Sequence, residues 1–145
     1  MENLEKVLKL NCQSTEKLTD FVAGRMIKSG KRAAHILNIS SICATMKSAV
    51  YTPYGLSKAG IIHSTRILAK KYENRGIVIN AIAPGTVATK FIWDIDEKTN
   101  IAYDANVIKR FIFPEEIAAI AVMMVSPYGN DLNGAVLTVS ACERI

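Results

Sequence analysis

Apolar positions along the first part of the chain recur at helical spacing. Leu4, Val7, Leu8, Asn11, Thr15, Leu18, Val22 and Met26 share one stripe, which predicts an amphipathic helix over about residues 3–28. Ser29-Gly30 closes it, with Lys28 in its last turn. Asn11 is an amide within that largely apolar stripe, and a buried amide needs partners. Residues 33–39 form a short, mostly apolar run that fits a strand buried on both faces, with Ser40 and Ser41 at its carboxyl end. Residues 42–53 read as a loop. A second helix is predicted over about residues 54–74, with Ile61, Ile62, Thr65, Leu68, Ala69 and Tyr72 on its apolar side and Gly76 at its end. Residues 77–83 read as a second buried strand, stopped by Pro84-Gly85. Residues 89–113 mix Phe91, Ile92, Trp93, Ile101 and Tyr103 with charges, in the manner of a binding loop or lid. Pro114-Glu115-Glu116 opens a third helix. Residues 117–125 are apolar all round, so this helix is expected to be well buried. Residues 134–139 form the last predicted strand.

This alternation implies an α/β fold: a partial, doubly wound parallel sheet of Rossmann type in a three-layer α/β/α arrangement. Ligand sites in such sheets lie beyond the carboxyl ends of the strands, where Ser41 and Pro84-Gly85 stand. With 145 residues, a single domain over 1–145 is expected. No apolar run approaches the roughly 20 residues that span a bilayer, and the N-terminus has no secretory apolar region, so a cytoplasmic protein without membrane contact is expected. Cys12, Cys43 and Cys142 are far apart and form no CxxC pair, which supports neither a disulfide framework nor a metal site. The net charge of +5 is scattered along the chain, so nucleic acid is not an expected partner.

Tyr54 and Lys58 are four residues apart on a predicted helix and share a face. A nearby ammonium favours the phenolate and lowers a tyrosine pKa, so such a pair can serve as general acid/base toward a hydroxyl or carbonyl. Ser41 could hydrogen-bond the same substrate oxygen. The same spacing also describes an ordinary solvated helix face.

Further motifs stand around this pair: Asn38-Ile39-Ser40-Ser41, Tyr54-Gly55-Leu56-Ser57-Lys58-Ala59, residues 76–85 ending in Asn80-Ala81-Ile82-Ala83-Pro84-Gly85, Thr86-Val87-Ala88-Thr89, Pro114-Glu115-Glu116 and Asn133-Gly134-Ala135. In this order and spacing the chain resembles the short-chain dehydrogenase/reductase family over nearly its whole length. The resemblance implies an oxidoreductase using NAD or NADP on a small carbonyl or alcohol substrate. It implies Tyr54 as acid/base and Lys58 as the residue that lowers its pKa and holds the nicotinamide ribose. Ser41, thirteen residues before Tyr54, matches the residue that polarises the carbonyl. Asn11 resembles the asparagine that anchors a proton-relay water; the alternative is a helix amide bonded only to backbone. Pro84, Gly85, Val87 and Thr89 resemble the loop that meets the nicotinamide carboxamide, where a plain strand-ending turn is the alternative. The helices around Asn11 and Tyr54 resemble the family's dimer interface, so a homo-oligomer is expected. None of the eight glycines forms the GxxxGxG turn that seats a pyrophosphate, so the chain reads as the C-terminal half of such a fold. A truncated, inactive binding or assembly subunit therefore stands beside the enzyme reading.

Overall fold

The computed structural model describes residues 2–30, 33–46, 52–90 and 108–141. The predicted first helix is present but not uniform. Helix α1 (Glu2–Val7) runs into a π-helical segment (Leu8–Gln13) and then into α2 (Ser14–Lys28). In the π segment the backbone bonds reach five residues along the chain, so side chains advance by a different angle and a stripe drawn at 3.6 residues drifts. Leu4, Val7, Leu8, Asn11, Thr15, Val22 and Met26 are half-buried as expected. Leu18 is 62% exposed, and the enclosed positions of α2 are Thr19 and Ala23.

Strand β1 (Ala34–Ile39), helix α3 (Thr52–Tyr72), strand β2 (Ile77–Pro84), helix α4 (Pro114–Val125) and strand β3 (Val136–Val139) follow in the predicted order. The sheet is wholly parallel, in the order β1-β2-β3, with Ala34 to Ile39 paired to Ile77 to Ile82 and Ala81 to Pro84 paired to Val136 to Val139. Gly76 adopts φ 70°, which turns the chain sharply from α3 into β2. Ala34 and Ile36 of β1, with Ile77 and Ile79 of β2, pack beneath Ala23, Leu68 and Ala69, so α2 and α3 cover one face of the sheet. The alternate residues point to the other face, where α4 lies against β1 and β2. His35 of that face meets Asn130, just beyond α4, at 3.0 Å.

A buried polar chain ties the first face together. The Thr19 hydroxyl donates to Asn38 Oδ1 at 3.0 Å, and Asn38 Nδ2 donates to Thr65 Oγ1 at 2.9 Å. The Thr65 hydroxyl donates in turn to the Ile61 carbonyl at 2.7 Å. All three side chains are buried, so each bond offsets a desolvation cost that an unpaired group would bear in full.

Two expectations about burial need correction. β1 is not enclosed on both faces: residues 34–37 are half-buried and Ile39 is 48% exposed. Among the described residues it has a strand on one side only. Helix α4 is not well buried either. Met124 is enclosed, but Val122 is 66% exposed and Val125 43%. The reason is the same: an apolar surface is buried only where something lies opposite it, and among the described residues α4 has the sheet beneath one side alone. Part of the expected lid, residues 91–107 with Phe91, Ile92, Trp93, Ile101 and Tyr103, lies outside the described residues, as does Cys142.

Asn38→Ala would leave the buried Thr19 hydroxyl without its acceptor, remove the donor to Thr65 and leave a small cavity, so we expect a loss of about 2–4 kcal/mol, read from urea unfolding.

Candidate active site

Backbone pairing continues one residue past β1, since the Ser40 N–H donates to the Ile82 carbonyl at 2.7 Å. Ser41 is extended and buried, and its hydroxyl accepts from the Cys43 N–H at 3.2 Å, capping a 3-10 turn (Ile42–Ala44). That turn sits directly on the start of α3. A Cβ placed on Gly55 would stand 2.7 Å from the Cys43 carbonyl oxygen, so only a glycine lets the two backbones approach this far. The close approach brings the Ser41 hydroxyl beside the Tyr54 side chain, where it favours the phenolate.

Lys58 lies one turn beyond Tyr54. Its Nζ donates to the Ile39 carbonyl at 3.1 Å and stands 5.6 Å from the centre of the Tyr54 ring. Ser40 returns the bond, its hydroxyl donating to the Lys58 carbonyl at 2.8 Å. Asn11 approaches from the π segment, where Nδ2 donates to Ser57 Oγ at 3.1 Å. The Asn11 carbonyl accepts from the Thr15 hydroxyl at 2.7 Å. The structure thus brings Asn11, Ser41, Tyr54 and Lys58 around the first two turns of α3.

The loop residues lie at the same end of the sheet. Pro84 ends β2, and the Gly85 N–H donates to the Val139 carbonyl at 2.8 Å. Val87 forms a parallel bridge with Ile112: the Ala88 N–H donates to Ile112 at 2.8 Å and the Ile112 N–H to Thr86 at 3.1 Å. In such a bridge the central residue turns its own N–H and C=O away from the partner strand. Thr89 is tethered only by a long 3.5 Å bond from its hydroxyl to the Val87 carbonyl.

Burial governs the ionisation of the central pair. It raises the Tyr54 phenol above its ordinary value; the Ser41 hydrogen bond offsets part of this, and the Cys43 thiol adds to the rise. Burial also lowers Lys58, with a smaller opposing effect from Cys43. Lys58 gives one of its three donors to the Ile39 carbonyl and stays beside the Tyr54 ring. The neutral phenol, a proton donor, is the favoured form.

A family model described as enoyl-(acyl carrier protein) reductase matches residues 1–141. The chain belongs to the short-chain dehydrogenase/reductase family. It is 32% identical to a 3-oxoacyl-(acyl-carrier-protein) reductase of Aquifex aeolicus over 94% of this chain and 54% of that protein. It is 34% identical to glucose 1-dehydrogenase 2 of Bacillus subtilis over 96% of this chain and 54% of that protein. A 7α-hydroxysteroid dehydrogenase solved with NADH and 7-oxo glycochenodeoxycholic acid superposes with a TM-score of 0.87 at 31% identity, covering 95% of this chain and 54% of that one. The chain therefore spans about half the length of the curated relatives it matches. Within the short-chain dehydrogenase/reductase fold, the three parallel strands and their helices are the part it supplies.

Sequence reasoning missed three supporting residues. Ser40 stands there only as a strand-end neighbour of Ser41, and Gly55 and Ser57 only as letters of a motif. Their partners are Lys58, Cys43 and Asn11, and no local spacing announces such pairings. It also missed the clasp at the loop's far end, where Arg110 makes two bonds of 2.6 and 2.7 Å to Glu116.

Gly-to-Ala changes inside helices ordinarily stabilise by about 0.5–1 kcal/mol. Gly55→Ala should instead destabilise by about 1–3 kcal/mol, read as a lower urea midpoint, because the Cys43 carbonyl blocks the new methyl. Arg110, with help from the Phe113 N–H, holds the Glu116 carboxyl at about 2, below the ordinary 4.5. A depressed folded pKa stabilises above the unfolded value, and that contribution is lost as pH falls from about 4.5 toward 2. Arg110→Gln should flatten the pH dependence of Tm across that window and move the Glu116 titration upward by NMR, with the Phe113 N–H still holding it below an ordinary carboxyl.

Proposed function

We propose that this chain carries the proton-transfer side of an NAD(P)-dependent oxidoreductase. A hydride passes between a nicotinamide and the carbon of a small carbonyl or alcohol, while Tyr54 passes the proton at the oxygen. The observation that carries this reading is Tyr54 standing beside Ser41 and Lys58 at the carboxyl end of a parallel sheet. Relatives solved with NADH or NADPH support the cofactor class. A substrate oxygen placed between the Ser41 hydroxyl and the Tyr54 phenol would be polarised by the first and protonated by the second.

The residues present fit the nicotinamide end of such a cofactor. An ammonium has three donors, and Lys58 uses one on Ile39, leaving two for the ribose hydroxyls. The outward N–H of Val87 and the loosely held Thr89 hydroxyl suit a carboxamide, with Pro84 and Gly85 setting the loop's departure from β2. Asn11 is read as the member that reaches the proton path from the π segment. When bound, the cofactor supplies the hydride; the chain's own groups orient the reacting oxygen and move its proton.

A second reading, an inactive binding or assembly subunit, is favoured by a different observation. Leu18 and Phe21 on α2 and Leu56 and Ile67 on α3 are exposed apolar side chains on the two helices that would meet a second copy of this chain. No described helix is long and apolar enough to cross a membrane.

Fusing the chain to the part of the Aquifex aeolicus relative that it does not cover gives a version in which turnover can be measured. Tyr54→Phe should there lower kcat by about a hundredfold or more with an unchanged Tm. A wild-type rate would overturn the enzyme reading, and a fused protein that folds but neither binds NADH or NADPH nor turns over would favour the second.

A further inference from the structure

Tyr54 is the third residue of α3, within the first turn, where the backbone N–H groups have no partner inside the helix. A side chain that must meet Ser41 with hydrogen-bond accuracy therefore starts from the least restrained part of its helix. What restrains it from within is Ser57. This serine is fully buried, and its hydroxyl donates to the Tyr54 carbonyl at 2.7 Å. The same oxygen accepts from Asn11 Nδ2 at 3.1 Å, although Asn11 lies 46 residues away in sequence. The hydroxyl is thus a bridge between the π segment and the turn that bears Tyr54.

A second contact supports the bridge. One turn further along α3, a Cβ on Gly60 would collide with Cys12 Sγ, so the π segment rests directly on the helix at the residue next to Asn11. Seen from α3, the Ser41 turn is seated at Gly55 and the π segment at Ser57 and Gly60.

We propose that Ser57 is a positioning residue: it couples Asn11 to the first turn of α3 and so sets the Tyr54 phenol against Ser41. The idea rests on the reading of Tyr54 as the acid/base, but its consequence is visible without turnover. Removing the bridge lets the first turn tilt and moves the phenol away from the Ser41 hydroxyl, which favours the phenolate.

The chain labelled with 13C-tyrosine can be titrated by NMR, comparing wild type with Ser57→Ala, Asn11→Ala and the double variant. At a fixed pH below the Tyr54 midpoint, each single variant should carry about threefold less phenolate, the equilibrium weight of one modest hydrogen bond. The double variant should fall no further than the larger single effect. A Ser57→Ala chain with a lower Tm but a wild-type Tyr54 titration would reduce Ser57 to a packing residue and overturn the proposal. If Ser57→Ala does not fold, Asn11→Ala removes the donor of the same bond from a half-buried position and decides the matter by the same readout. Failure of the fused protein to bind a dinucleotide would count against the proposed function and leave this titration unaffected.

Discussion

The end of β1 and the second turn of α3 hold each other by their backbones. The Lys58 ammonium donates to the Ile39 carbonyl, and the Ser40 hydroxyl donates to the Lys58 carbonyl. Almost everything at the candidate site depends on this reciprocal clasp. Ser41 is the next residue after Ser40, and Tyr54 is one turn before Lys58. A helix that slipped by one residue would move about 1.5 Å and rotate about 100°, which would carry the phenol away from Ser41. The clasp forbids that slip. The glycine contact between Gly55 and Cys43 then limits the remaining freedom, which is separation of the turn from the helix.

This arrangement gives the lysine a structural role beside its electrostatic one. At sequence level Lys58 was the natural cause of an acidified tyrosine, because four residues on a helix place the two side chains together. The structure keeps them together but gives the ammonium another acceptor, while enclosure by α3 and the strand end penalises charge on both groups. The phenol therefore holds its proton, and the hydroxyl of Ser41 works against burial. A neutral phenol beside a substrate oxygen is poised to give a proton, which is the sense required for reducing a carbonyl.

The sheet was legible because residues 33–39 and 77–83 are apolar, short and bounded by polar or turn residues, a pattern that a helix does not share. The parallel order followed from the helices between them. The π segment was not legible: positions 4, 7, 8 and 11 are half-buried whether the turns are α or π, so the stripe hides the change. The exposure of α4 was misread for a different reason. Composition reports how apolar Val122 and Val125 are, but burial depends on what lies opposite them. The Asn11–Ser57 bridge spans 46 residues and could not be inferred from either segment alone.

The distribution of contacts separates chemistry from affinity. The groups that fit a nicotinamide are few: two remaining donors on Lys58, the Val87 N–H and the Thr89 hydroxyl. Each hydrogen bond contributes on the order of 1 kcal/mol net, whereas immobilising a ligand costs roughly 4–15 kcal/mol. Such a set can orient a dinucleotide but cannot hold it. In a fold of this type the holding force comes from phosphates seated on a glycine-rich turn at a helix N-terminus, and this sequence contains no such turn. The enzyme reading and the assembly reading therefore share one site and differ only in whether a phosphate seat is supplied beside it, and the surfaces of β1 and α4 that no described residue covers leave room for either.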